Sequence, residues 1–379
     1  MVKKAILIRN AAATDFGGGE RVPVFLAREL AAFDVQALIL SRSEKLLAFA
    51  KAENVAHQKS WWWSRQDWSG KNALLFPTYV LWQIILYAYY LSIFAKHKPT
   101  TVHIQSKDDF IAGSLAARSL GIQVLWSDYA DLKHIWLNHS VWYKNPVGKL
   151  VYWAARFAHT IVVVSNNDRS DIAQHIPNGA IKDKLTVIYN GAFDQYSPTK
   201  KNKLFTIVST GRLVTDKGIG ELIRAFKTFH TEFPDSQLQL IGDGPEGEKF
   251  KTLAKSVDGI HFLGHKTNPL EYVATADVFV LPTYHEGFSL ALVEACMEKV
   301  AIITTNVGGN PEIITHEKNG LLVTVKSDDE LYNAMKRLYV DELLRKKISE
   351  RARKEYVASF NFKDIVEHKF VPLYKGVWQ

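Results

Sequence analysis

A single cysteine, Cys296, occurs in 379 residues, which excludes an internal disulfide framework and any zinc site built from several cysteines. That usage favours a reducing compartment. A bilayer span needs about 20 apolar residues, and the run Tyr79 to Ala95 falls short at 17, with Gln83 and Ser92 as polar breaks. It reads as a helix packed on a sheet, with a membrane-associated face as the sharper alternative. Met1 to Ile8 is too brief an apolar stretch before Arg9 and Asn10 for a signal peptide and is expected to be a first strand. The first glycine-rich loop, Gly17-Gly18-Gly19, lacks the Gly-x-Gly-x-x-Gly spacing, and no Lys-Ser or Lys-Thr follows it, so it is not a Walker loop.

What is present is a globular balance, with 47% hydrophobic and 23% charged residues. The length exceeds one ordinary core, so two domains are expected. The net charge of +8 is unevenly held: residues 1–195 carry 22 Lys and Arg against 15 Asp and Glu, and nine of the ten Trp lie at or before Trp153. A basic surface with aromatics suits an anionic membrane or an acidic acceptor, while tryptophan in a core accounts for the aromatics equally well. The basic residues are scattered and no recognition motif accompanies them, so nucleic acid is not an expected partner.

Along the chain, strand and helix patterns alternate as in a doubly wound α/β sheet. The first strand runs into Gly17-Gly18-Gly19 and a helical pattern, the order that brings backbone close to a phosphate. Ile122 to Ser127 is a strand, and Asp128, Asp131, Lys133, His134 and His139 crowd the loop after it, where open α/β sheets bind ligands. His134 and His139 are five apart rather than four, which disfavours a helical metal pair. Asn190-Gly191 and the polar, lysine-rich stretch to Lys203 mark a boundary, placed at Asp194. This gives domains 1–194 and 195–358, and a C-terminal helix 359–379 that must pack on something, plausibly the first domain.

The second domain restarts the alternation. Leu204 to Ser209 feeds a loop holding Arg212 and Lys217, where fixed cations suit a diphosphate. Gly242-Asp243-Gly244-Pro245 is a tight turn. Asp277 to Leu281 reads as a buried strand ended by Pro282, and helical character resumes at about Phe288. Glu286 is then in the loop and Glu294 about two turns into the helix, with the amides of Phe288 and Ser289 between them as an anion site.

Together Gly17-Gly18, Arg212 with Lys217, Gly242 to Pro245, and Glu286 with seven residues before Glu294 resemble the family 4 retaining glycosyltransferases, glycosyl transferases group 1. The resemblance spans nearly the whole chain and implies a GT-B fold: two Rossmann-like domains facing a central cleft, closing on the donor. It implies that Glu294 holds the ribose of a UDP- or GDP-sugar and Glu286 the sugar hydroxyls. Phe288, Ser289 and Leu290 would supply backbone contacts, Arg212 and Lys217 the diphosphate clamp, and Lys266 a backbone contact to the base. Gly17 and Gly18 would reach the diphosphate from the other domain.

Many relatives carry a histidine where this chain has Asp128, so Asp128 is the expected stand-in, with Asp131 second. The catalytic set implied is Asp128, Glu286, Arg212 and Lys217, with no metal and no cofactor beyond the donor. The expected acceptor is a lipid-linked, lipopolysaccharide or other cell-envelope glycan, taken up by a cytoplasmic protein that can sit peripherally on the inner membrane face. A soluble acceptor, or a catalytically silent nucleotide-sugar-binding partner protein, are the alternatives.

Overall fold

The computed structural model describes residues 2–10, 18–61, 76–128, 146–175 and 179–376. The chain forms two compact units, one from Met1–Tyr189 with Lys363–Gln379 and one from Asn190–Phe362. The sequence-based break at Asp194 falls later than the observed one for a physical reason. Ala192 pairs with Asn361 and Asp194 takes Arg353 at 2.9 and 2.6 Å, which ties residues 190–194 to the second unit.

The first unit is a parallel sheet of seven strands in the order β3-β2-β1-β4-β5-β6-β7. These are Lys3–Ile8, Val35–Ser41, His57–Lys59, Thr101–Ile104, Gln123–Asp128, Thr160–Val163 and Leu185–Val187 for β1 to β7. β4 and β6 are buried at every position, which explains why they are apolar or β-branched throughout except at His103. The run expected to be a packed helix is one, Phe76–His97. Its Tyr79, Trp82, Leu86, Tyr90 and Phe94 enter the core, each such side chain contributing about 1.5–3 kcal/mol.

The tryptophans divide between the two readings. Trp126 is fully buried, stacked 4.1 Å from Phe110, and its indole N–H donates to Ser114; Trp61 is half exposed.

From Lys363 on, the C-terminal segment belongs to this unit. Phe362–Ile365, Val366–Phe370 and Val371–Lys375 are successive helical pieces, the middle one a π turn. Pro372 has no N–H for the carbonyl one turn back, a natural place for the winding to change. Tyr374 anchors the segment: its hydroxyl lies 2.6 Å from His103 Nδ1, while His103 Nε2 meets Ser127 Oγ at 2.7 Å. Burial pushes His103 down to about 3, so the ring is neutral.

The second unit is a parallel sheet of six strands, β10-β9-β8-β11-β12-β13. They are Phe205–Thr210, Ser236–Ile241, Ile260–Gly264, Val278–Leu281, Ala301–Thr305 and Leu321–Val323 for β8 to β13. Helices Ile219–Glu232 and Asp328–Val340 close the core around Phe226, Phe229, Met335 and Leu338.

Candidate functional site

In the second unit the strand order reverses between β8 and β11, because β9 and β10 lie to one side of β8 and β11 to β13 to the other. A doubly wound sheet leaves a crevice at the carboxyl ends of such a pair. The loops after β8 and β11 both emerge there, and they carry Arg212, Lys217 and Glu286.

The loop after β8 is held from both sides. Leu213 N–H donates to Asp243 O at 3.0 Å, and Glu246 N–H donates to Leu213 O at 3.2 Å. The approach leaves no room for side chains on the glycine turn: a Cβ on Gly242 would stand 1.9 Å from Gly211 O, and one on Gly244 2.4 Å from Leu213 O. Further along, Gly218 takes φ 68°, and its Cβ would meet Pro282 O at 2.1 Å. Tyr284 N–H and Thr283 Oγ1 both donate to Asp216 O, at 2.8 and 3.1 Å. Lys217 is thereby fastened against the β11 loop.

Lys217 Nζ and Glu286 Oε2 form an ion pair at 2.6 Å, partly shielded, with side-chain exposures of 24% and 19%. Glu286 is also gripped through its backbone, since Gly309 N–H donates to Glu286 O at 3.3 Å and a Cβ on Gly308 would fall 1.7 Å from that oxygen. Arg212 is exposed and makes no ion pair among the described residues. A positive guanidinium, an ammonium and a carboxylate thus occupy one sheet edge, with the ammonium and carboxylate in contact.

The helix beyond Glu286 starts later than its pattern suggested. It spans Leu290–Met297, with Ser289 as the N-cap accepting from Leu292 N–H, so Glu294 is one turn in rather than two. The reason is capping: Ser289 has an extended backbone whose hydroxyl serves the helix. Phe288 is buried against Phe360, ring centres 5.7 Å apart, which fixes where the helix begins. Lys266 follows β10 at the far end of the sheet, its ammonium 5.7 Å from the Tyr272 ring centre.

In the first unit the equivalent reversal lies between β1 and β4. Asn10, at the end of β1, is braced on three sides: its N–H donates to Ser106 Oγ at 2.6 Å, its amide to Asp109 Oδ2 at 3.0 Å, and its oxygen accepts from Arg42 N–H at 2.9 Å. Burial pushes Asp109 up to about 7, although Tyr90 donates to it at 2.6 Å. Gly18 opens the helix Gly18–Leu30 and Asp128 is the last residue of β5. Gly17, Asp131, His134 and His139 lie outside the described residues. Asn10, two residues past β1, has no role legible in sequence, and Gly308 is legible there only as part of Gly308 to Glu312 opening a helix at this sheet end, not as the residue packed against Glu286.

A family model described as Glycosyltransferase Family 4 matches residues 16–193, and one described as Glycosyl transferases group 1 matches residues 193–355. The N-acetyl-alpha-D-glucosaminyl L-malate synthase of Bacillus anthracis is 34% identical over 45% of this chain and 45% of its own length. The chain spans about half the length of the first curated relatives it matches. A wider match, 27% identical, covers 70% of this chain and 73% of the UDP-Gal:alpha-D-GlcNAc-diphosphoundecaprenol alpha-1,3-galactosyltransferase of Escherichia coli. Among solved structures, Anabaena HepE in complex with UDP and glucose superposes with a TM-score of 0.76 at 17% identity, over 98% of this chain and 99% of that one.

Proposed function

The chain belongs to the family 4 glycosyltransferases, glycosyl transferases group 1, with the GT-B fold. On that premise we propose that it transfers a sugar from a UDP- or GDP-linked donor to a cell-envelope glycan acceptor with retained anomeric configuration. The observation that carries the proposal is the Lys217–Glu286 pair at the β8/β11 reversal, beside Arg212. UDP in HepE and UDP-Gal in the E. coli relative support a nucleotide-sugar, and the diphosphoundecaprenol in that relative's name supports a lipid-linked acceptor.

In this reading the diphosphate takes Lys217 and Arg212 as counter-charges, and Glu286 turns to accept from the sugar hydroxyls. The amides opening the Leu290–Met297 helix, with Phe288 and Ser289, line the donor, and Glu294 takes the ribose. Lys266 contacts the base through its backbone. As the bond from the anomeric carbon to the phosphate oxygen breaks, negative charge grows on the diphosphate, and cations fixed beforehand stabilise it. The acceptor oxygen bonds to the same face of that carbon, and its proton passes to the departing phosphate oxygen. The clamp needs no metal ion.

Asp128 and the Gly17-Gly18 loop complete the proposed set from the first unit. The protein works at the cytoplasmic membrane face as a peripheral enzyme.

A screen of UDP- and GDP-sugars by thermal stabilisation, followed by NMR of the product anomer and an assay in excess EDTA, tests this. Stabilisation by one donor, a retained anomer and EDTA-insensitive turnover are expected. Lys217→Ala and Glu286→Gln are expected to cut turnover by about 10²–10³, and Asp128→Ala to lower it. An inverted product would refute retention, and donor binding with neither transfer nor hydrolysis would refute the enzyme.

A further inference from the structure

At the edge of the first unit's sheet away from the strand carboxyl ends, a second feature has no part in the proposed reaction. An open cavity of about 480 Å³ is lined by Arg118, Arg156, Phe157, Ala158, His159 and Lys184. Four of these six are basic or imidazole side chains. They come from separate places: the last turn of the helix Phe110–Ser119, the turn before β6, and the residue before β7.

Cations near helix carboxyl ends offset partial negative charge, and that accounts for Lys184. Its ammonium donates to Arg156 O at 2.6 Å and Ala158 O at 2.7 Å. The same effect acts on Arg118, in the last turn of Phe110–Ser119, and on Arg156, in the last turn of Ala155–Phe157, but it supplies neither guanidinium with a carboxylate partner. Neither Arg118 nor Arg156 forms an ion pair with a carboxylate among the described residues; Arg156 only rests 5.9 Å from the Trp153 ring centre. His159 Nδ1 accepts from Val124 N–H at 3.0 Å, which leaves Nε2–H as a donor.

The cluster is also at odds with itself. After burial, Arg118 repels the charge on Lys184, and Lys184 and Arg118 both hold His159 below its ordinary range. Two guanidiniums, an ammonium and an imidazole N–H around one concavity form a donor set for a tetrahedral oxyanion.

We propose that this cavity binds a phosphate group, held by Arg118, Arg156, His159 and Lys184, at a place separate from the donor site. A phospholipid headgroup and a soluble phosphate share this chemistry.

The test uses the full chain, inorganic phosphate, and vesicles with and without phosphatidylglycerol. Phosphate should raise the melting temperature more than chloride at matched ionic strength, and should raise the His159 titration midpoint followed by NMR. The double variant Arg118→Ala/Arg156→Ala should bind phosphate at least about tenfold more weakly, while Arg118→Lys/Arg156→Lys retains part of the affinity. Without phosphate the alanine variant should melt no lower than wild type, because it removes repulsion; a purely structural role predicts a loss. If phosphatidylglycerol vesicles also release the alanine variant, the headgroup is the source; if vesicle binding is unchanged, the source is soluble. A phosphate effect no larger than that of chloride overturns the site, whatever the vesicles do.

Discussion

Gly308 shows how tightly single residues set the donor edge. With φ at 52° and a would-be Cβ 1.7 Å from Glu286 O, any side chain there must move the loop that carries Glu286. Gly308→Ala is expected to cost about 1–3 kcal/mol of stability and to weaken donor binding, read by chemical denaturation and calorimetry. Unchanged donor affinity would show that Glu286 is positioned by Lys217 alone.

Asp109 makes a prediction of opposite character. Its carboxyl is raised from 3.8 to about 7 by burial, with Asp108 adding to the shift and Tyr90, Asn10 and Ser106 opposing it. The folded state therefore holds a proton that the unfolded chain releases, so this contribution is fully present below about pH 4 and lost as pH rises through about 7. Asp109→Asn should flatten that fall in stability between pH 4 and 7, measured by urea unfolding. Of these residues, Arg212 and Lys217 stood out in sequence in a glycine-bounded loop and Glu286 in the loop between a strand ended by Pro282 and the next helix, and the donor roles proposed for them come from the family resemblance. Asn10 and Asp109 did not stand out, because they are partners nearly a hundred residues apart, and Gly308 was legible only as a glycine turn before a helix, since the close approach to Glu286 O is a tertiary contact.

At the scale of elements, the helix Phe76–His97 carries two incompatible-looking faces. One buries aromatic side chains in the core; the other exposes Leu81 by 59%, Ile84 by 57% and Ile85 by 37%, one stripe by helical spacing. It is long and apolar enough to cross a membrane by length and composition, but its packed face belongs to the first unit's core. The stripe instead suits shallow insertion at a membrane interface. Leu81→Gln/Ile84→Gln should reduce vesicle co-sedimentation several-fold while leaving the melting temperature within a few degrees, since neither side chain is in the core. Equal co-sedimentation would remove the stripe from the membrane reading. The length of its apolar run revealed this helix but not its faces, since nearly every position is apolar. The start of the Leu290–Met297 helix was blurred for a related reason: Phe288 continues the apolar pattern but packs on Phe360, outside the helix.

At the scale of the whole molecule, the two parallel sheets were readable from the alternation of strand and helix patterns, and the excess of positive charge sits in the first half of the chain. The proposed donor contacts on the second unit make a whole-molecule prediction. A donor at about 100 times its dissociation constant adds about 2.7 kcal/mol. In hydrogen exchange, the gain should centre on residues 211–218, 282–294 and 306–310. Protection gained mainly in residues 35–61 or 160–187 would place the donor elsewhere.

The first unit is also discontinuous in sequence, which gives it a history as well as a shape. His103 and Tyr374 are partners separated by 271 positions, with the whole of the second unit between them. At about 5–20 residues per second of synthesis, the ring of His103 waits roughly 15–50 seconds for its hydroxyl. During that interval the neighbouring sheet can be completed while the earlier one still lacks its final helix. A ribosome stalled before Lys363 would therefore leave the older half of the protein as the unfinished one.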